Sequence, residues 1–296
     1  MTPTETNVVD YFLERVSSSD SLRIPSVGLS GLHPCSWFRQ TVAQPKPDSK
    51  SETWWEDSLT EEEILELCNT APELPILGNA SSRSLRPAPI YVISPRVLVK
   101  LGSYYTGEYE SRAMEVVRSQ TSIPVPRPLR FIQREGGCYL VMEYIKGRSL
   151  DWCWDGLSLW RKFVIAWTLR GYIRQLRRVR TAQIEHQIPG PLTGDLSEPL
   201  KCIGPAMGAE YHCGPFSSAA ALFAWLNGRL RVTQYIKGTE PLVLVHGDLT
   251  PRNVMLDDDG KIWLIDWGCS GVYPPWFEAA AMLYTRPQPS WWTWVR

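Results

Sequence analysis

At 296 residues, with 44% hydrophobic side chains and 14 tryptophans, the chain has apolar material for a folded core, as one two-lobed unit or two modest domains. Lys plus Arg and Asp plus Glu both number 31, a balance that points to neither nucleic acid nor an anionic membrane as partner. The seven cysteines (35, 68, 138, 153, 202, 213 and 269) are odd in number and hold no Cys-x-x-Cys pair, which argues against a disulfide framework and for a reducing compartment. His212 beside Cys213 lacks a second ligand pair for zinc. No apolar run approaches the ~18–20 residues of a membrane helix, and the start MTPTETNVVDYFLERV has no basic or apolar leader. The expectation is a cytoplasmic protein.

Residues 1–58 read as an extension and linker: Val9, Phe12, Leu13 and Val16 follow helical spacing, and 40–52, with Pro45 and Pro47, is linker-like. Thr60 and Glu63 have capping-box spacing, with Leu59 and Ile64 placed as a staple, so a helix is expected from Glu61 to before Pro72. Residues 90–93 and 97–101 form a hairpin around Ser94-Pro95-Arg96, with Val97 and Val99 on one face and Leu98 and Lys100 on the other. On the following helix Glu110, Ala113, Met114 and Val117 share the apolar face. Glu115 lies with Ser111, Arg112, Arg118 and Ser119, towards water.

Residues 121–128, with Pro124, Pro126 and Pro128, cannot be helical and act as an extended connector. Strands follow at 129–133 and 139–144 around Gly136-Gly137, and Ile145-Lys146-Gly147 is a natural crossing point between lobes. Residues 159–180 are expected to be one long helix, buried along Ile165, Leu169, Tyr172, Leu176 and Val179. Arg170, Arg174, Arg177 and Arg178 lie largely on its other side, with no surface aromatics interleaved, and are expected to be a solvated face. Residues 181–241 are loop-rich, with helical spacing returning at 219–230.

The chemistry concentrates in residues 242–268. Runs 242–245 and 261–265 read as buried strands, and Val254–Leu256 joins the second through the turn Asp257-Asp258-Asp259-Gly260. Asp248 follows the first strand, while Asn253 and Asp266 return to the open end of the hairpin. Two acids and an amide oxygen gathered in this way suit a magnesium ion that keeps waters and phosphate oxygens, the arrangement phosphoryl transfer needs.

His246-Gly247-Asp248-x4-Asn253 followed by Ile265-Asp266-Trp267 resembles the catalytic and metal-binding loops of the protein-kinase-like superfamily, in its aminoglycoside phosphotransferase and choline kinase branch. The resemblance runs from about residue 60 onward. It implies a two-lobed α+β fold, with a small antiparallel sheet lobe over residues 59–145 and a larger, mainly helical lobe over 146–296. The implied activity is ATP-dependent phosphorylation of a small-molecule hydroxyl. By the resemblance Asp248 is the catalytic base, His246 braces the loop, and Asn253 and Asp266 hold Mg2+. Lys100, held by Glu110 in preference to Glu115, positions the phosphates; Met142 lines the adenine pocket, and the backbones of Glu143 and Ile145 bond the adenine edge. The same fold allows an inactive nucleotide-binding or scaffold protein as the alternative.

Residues 181–241 resemble the insertion of fungal members of the family; Tyr-Pro-Pro-Trp-Phe-Glu (273–278) resembles the family itself, in which further helix is usual, whereas here a Trp-rich tail follows. The family's glycine-rich phosphate cover is reduced to Gly78-Asn-Ala-Ser-Ser-Arg-Ser84, whose small polar residues are expected to present backbone N–H groups instead. Trp152, Trp154, Trp160 and Trp167 are either packing residues or faces for a quaternary ammonium. An aminoglycoside would want a dense acidic pocket, and Asp195, Glu198 and Glu210 are too sparse to decide, so the acceptor stays open, as does the oligomeric state.

Overall fold

Thr60 opens the first helix, α1 (Glu61–Thr70), by the expected reciprocal bonds. Its Oγ1 accepts from the Glu63 N–H at 3.2 Å, and the Glu63 carboxylate accepts from the Thr60 N–H at 2.7 Å, satisfying two otherwise orphaned groups. The protein is seen in a computed structural model that describes residues 59–74, 88–102, 107–135, 137–210, 212–229, 236 and 238–284. The expected helix near Val9, the linker at 40–52, the phosphate-cover stretch 78–84 and the Trp-rich tail lie outside these residues.

Helix α1 lays Ile64 and Cys68 on one face of an antiparallel sheet of β1 (Ile90–Ser94), β2 (Val97–Gly102), β3 (Pro128–Arg134) and β4 (Gly137–Glu143), in the order β1-β2-β4-β3. Strand alternation sends Val97, Val99 and Val141 into that layer. Each fully buried Val or Ile there is worth roughly 1.5–3 kcal/mol. Leu98, Leu140 and Met142 point the other way, into the main core with Ala113, Met114 and Val117 of α2 (Gly107–Gln120). Lys100 sits opposite Leu140 in the register and therefore faces α2 as well.

The proline connector runs extended, and Leu264 N–H donates to Pro124 O at 2.9 Å, stitching the sheet lobe to the second lobe. That lobe begins with β5 (Arg148–Ser149) and α3 (Leu150–Cys153), then α4 (Leu159–Leu176), with Ile165, Leu169 and Leu176 buried. Helix α4 stops short of the expected residue 180. Arg178 and Val179 N–H groups bond three residues back, and the Gln120 side chain takes both the N–H and the C=O of Arg180, drawing the chain off the helix axis.

The solvated face of α4 also differs from expectation. Trp160, Phe163 and Trp167 are 54%, 43% and 48% exposed, so aromatics precede the arginines along the same face at 3–4-residue spacing. Their rings stack in series, at centroid distances of 5.6 and 6.2 Å. Trp154, by contrast, is buried in the core.

The loop-rich region carries α5 (Ala182–Glu185), β6 (Cys202–Ile203) paired with β7 (His212–Cys213), and α6 (Ala219–Arg229). Then come β8 (Val243–Val245), the hairpin β9 (Val254–Leu256) and β10 (Ile262–Leu264), β11 (Gly271–Tyr273) and α7 (Phe277–Tyr284). β8 pairs with β11, and β9 pairs with both β10 and β5. The result is the two-lobed α+β architecture, a small antiparallel sheet lobe and a larger, mainly helical one. Among the described residues no helix is long and apolar enough to cross a membrane.

Candidate active site

The buried strand β8 delivers His246, Gly247 and Asp248 to the junction of the lobes. Gly247 has φ +78, and a Cβ there would run into Cys269 O, so the close turn needs glycine. His246 is fully buried, and burial lowers its pKa to about 4, which keeps the ring neutral. Its Nδ1 accepts from the Asp248 N–H at 3.3 Å, so Nε2 carries the proton and donates to Ile265 O at 3.1 Å. One neutral imidazole thereby spans the Asp248 loop and the residue before Asp266.

Asp248 is 4% exposed. Its Oδ2 accepts from Arg252 Nη2 at 2.7 Å and from Asn253 Nδ2 at 2.8 Å, whereas Oδ1 is buried with no partner among the described residues. The tight turn Pro251–Asn253 brings both donors back onto the carboxylate. Burial pushes the Asp248 carboxyl up to about 6, with Asp266 adding to the rise and Arg252 opposing it.

Asn253 also donates through Nδ2 to Asp248 O at 2.8 Å, and its own carbonyl accepts from the Ile265 N–H at 3.0 Å. That last bond continues the β9–β10 ladder and sets Asn253 beside the residue preceding Asp266. Asp266 adopts a left-handed backbone, φ 63, which an Asp tolerates better than most residues.

Lys100 joins the two lobes electrostatically. Its Nζ donates to Glu110 Oε1 and Oε2 at 2.9 and 2.8 Å and to Asp266 Oδ1 at 2.6 Å. Glu110 Oε1 further accepts from the Trp267 N–H at 3.2 Å. Glu115, on the opposite side of α2, is exposed. Burial works to lower the Lys100 pKa, but Asp266 and Glu110 overcome it and hold the ammonium well above its usual range. Lys100 in turn depresses Asp266, while burial outweighs it at Glu110 and raises that carboxyl.

The model of the phosphotransferase enzyme family matches residues 103–295, well over half of the chain. The chain belongs to this family. Among solved structures it is similar to an apo thermostable mutant of the aminoglycoside phosphotransferase APH(4)-Ia, at 16% identity and TM-score 0.48, covering 80% of this chain and 81% of that one. It is similar also to an aminoglycoside-3'-phosphotransferase of type VIII, at 20% identity and TM-score 0.46, covering 78% and 85%. A third, the streptomycin–ATP ternary complex of APH(2")-IIa, gives 15% identity and TM-score 0.43, covering 73% and 72%. No curated protein matches the sequence.

In this phosphotransferase-family chain, the crossing segment puts Met142 in the core, 6% exposed, and Ile145 at 8%. The Glu143 N–H is committed to Arg127 O at 2.9 Å, so a main-chain bond from Glu143 to a ligand would run through its carbonyl. For a metal, the described residues hold no cluster of three His, Cys, Asp or Glu side chains. What the site offers a metal is a pair of oxygen donors. Asn253 Nδ2 faces Asp248, which turns Asn253 Oδ1 away from it, and Asp266 has a second oxygen beyond the one on Lys100. One amide oxygen and one carboxylate make a hard, sparse donor set of the kind that suits an ion retaining water and phosphate ligands.

Two residues of this site escaped the sequence reading. Glu278, in the first turn of α7, is 4% exposed; its Oε2 accepts from the His246 N–H at 2.7 Å and its Oε1 from the Gly247 N–H at 3.2 Å. Burial pushes its carboxyl up to about 7, against three backbone N–H donors from His246, Gly247 and Leu249. A lone acid in the apolar run Phe-Glu-Ala-Ala-Ala-Met was a usable signal, since a buried acid needs partners. Arg252 had a weaker one, its four-residue spacing from Asp248.

Proposed function

We propose that the protein is an ATP-dependent small-molecule kinase that transfers the γ-phosphate of ATP to an acceptor hydroxyl. The observation that carries this reading is the meeting of two sets of groups: Lys100 bonded to both Glu110 and Asp266, and Asp248 bonded to Asn253 through Oδ2, with its buried Oδ1 unpaired among the described residues. A scaffold has no use for a buried carboxylate oxygen without a partner, whereas a hydroxyl acceptor supplies the missing donor.

In this reading residues 59–145 form the nucleotide lobe and 146–296 the catalytic and acceptor lobe. Lys100, oriented by Glu110, neutralises phosphate charge. Met142 would line the adenine site, with the Glu143 carbonyl and the Ile145 N–H on the adenine edge. Asn253 and Asp266 would hold magnesium, which when bound would offset charge on the phosphates. Asp248 Oδ1 accepts the proton as the acceptor O–H bond breaks. The acceptor oxygen bonds to the γ-phosphorus while the bond from that phosphorus to the bridging oxygen of ADP breaks. Most of the rate gain comes from positioning and electrostatics.

The test is ATP consumption with a panel of small hydroxyl acceptors, parent against Asp248→Asn. The isosteric variant keeps an oxygen for Arg252 and stays folded, binds nucleotide as the parent does, and turns over about 10²–10⁴ more slowly. Equal turnover in parent and variant removes Asp248 as base; a parent silent across the panel and with water removes the kinase reading.

A further inference from the structure

We infer that Arg252 is a positioning residue of the transfer step: it locks Asp248 by one oxygen so that the other alone faces the acceptor. The inference rests on the kinase reading above and gives it a residue that neither the family match nor the motif supplies.

The two oxygens of Asp248 live in different surroundings. Oδ2 receives two donors, the Arg252 guanidinium at 2.7 Å and the Asn253 amide at 2.8 Å, and Oδ1 receives none although it is buried. A buried acceptor left unmatched costs about 1–3 kcal/mol, and in the kinase reading the acceptor hydroxyl is the donor that offsets this cost at Oδ1. Two donors on one oxygen also restrain rotation about the Cβ–Cγ bond, because turning the carboxylate would break both at once.

Asn253 cannot do this alone. Its Nδ2 is shared with the Asp248 carbonyl at 2.8 Å, which holds the main chain as much as the side chain. Arg252 provides the charge-assisted bond, stronger than a neutral one. Its side chain is 42% exposed while that of Asp248 is 6% exposed, so the guanidinium reaches in from the mouth of the site and clamps an enclosed carboxylate. The turn Pro251–Asn253 compresses the four-residue separation enough for that reach. With Oδ2 held, the lone pair of Oδ1 points in one direction, and the acceptor hydroxyl must come from there. Misplacing a reacting group by about 1 Å is worth about 10²-fold in rate.

The experiment compares parent, Arg252→Ala and Arg252→Lys in ATP consumption, with water and with the acceptor panel, alongside nucleotide affinity and melting temperature. Arg252→Ala is expected to lose about 10²-fold in kcat with nucleotide affinity and folding retained. Arg252→Lys recovers part of the loss, and added guanidinium recovers turnover in Arg252→Ala while the same concentration of sodium chloride does not. Full turnover in Arg252→Ala, or a loss that neither lysine nor guanidinium mends, overturns the inference.

A parent that consumes no ATP under any condition defeats the kinase reading instead, and the clamp is then read from crystals of the parent and Arg252→Ala. An Asp248 carboxylate that rotates away from Asn253 in the variant upholds it. One that keeps the same orientation overturns it.

Discussion

Two groups of carboxylates make up the candidate site, and they are stabilised in opposite ways. Around Lys100, charge answers charge: Glu110 and Asp266 both bond the ammonium, and the Asp266 side chain stays 44% exposed. Around His246, a buried charge is answered mainly by dipoles. Glu278 has backbone N–H donors and, among the described residues, no cation, and its carboxyl rises to about 7. Asp248 is intermediate, with one arginine and one amide, and rises to about 6. In the proposed reaction the two halves of the site would serve different tasks. The Lys100 group keeps its charge on Lys100 and Asp266, as a phosphate and metal site requires. The His246 group holds carboxylates near the point of gaining a proton, as a proton acceptor requires.

Breaking the charged half gives the largest expected effect. Asp266→Ala removes one of two proposed metal donors and one of the two carboxylates on Lys100. Calorimetry with ATP, with and without magnesium, is expected to show that the magnesium-dependent part of binding is gone; an unchanged magnesium increment would take Asp266 out of the metal site.

The dipole-supported half is broken by Glu278→Ala, which leaves the His246 and Gly247 N–H groups buried without acceptors. At about 1–3 kcal/mol for each, the variant is expected to lose several kcal/mol, seen as a melting temperature many degrees below the parent. Retained stability would mean the loop stands without its clamp.

The same residue makes stability depend on pH, and the sign follows from the direction of the shift. Its folded pKa of about 7 lies above the ordinary value of 4.5, so the folded state binds the proton more tightly than the unfolded chain. Stability therefore falls as pH rises from about 4.5 to about 7, by about 3 kcal/mol. Asp248 adds the same sign at lower pH. Urea titrations at pH 5 and pH 7 check this, and greater stability at pH 7 would contradict it.

The smallest effects sharpen the comparison within α2. Glu110→Gln exchanges a charged bond to Lys100 for a neutral one and is expected to cost about 1.5–3 kcal/mol in productive nucleotide use. Glu115→Gln, on the exposed face, is expected to stay within about 0.5 kcal/mol of the parent. A larger loss at Glu115 than at Glu110, in ATP affinity or consumption, would refute the assignment.

What the sequence determined by itself was everything with a short period. Alternation in β2 put Lys100 on the face towards α2, and helical phase put Glu110, not Glu115, on the face towards the sheet. The capping box at Thr60 and the hairpin ahead of Asp266 were equally local. What only the tertiary structure decided were pairings across distance and the surroundings of each face. Lys100 reaches Asp266 across 166 positions, and Glu278 accepts from His246 across 32, separations that no periodicity encodes. The end of α4 was set by the Gln120 side chain, 60 positions away, taking Arg180. Helical spacing could say that Trp160, Phe163 and Trp167 share a side. Whether that side met the core or water depended on which elements packed against α4, and it was Trp154 that went inside. A local pattern fixes where a side chain points; what stands there to meet it is decided by packing.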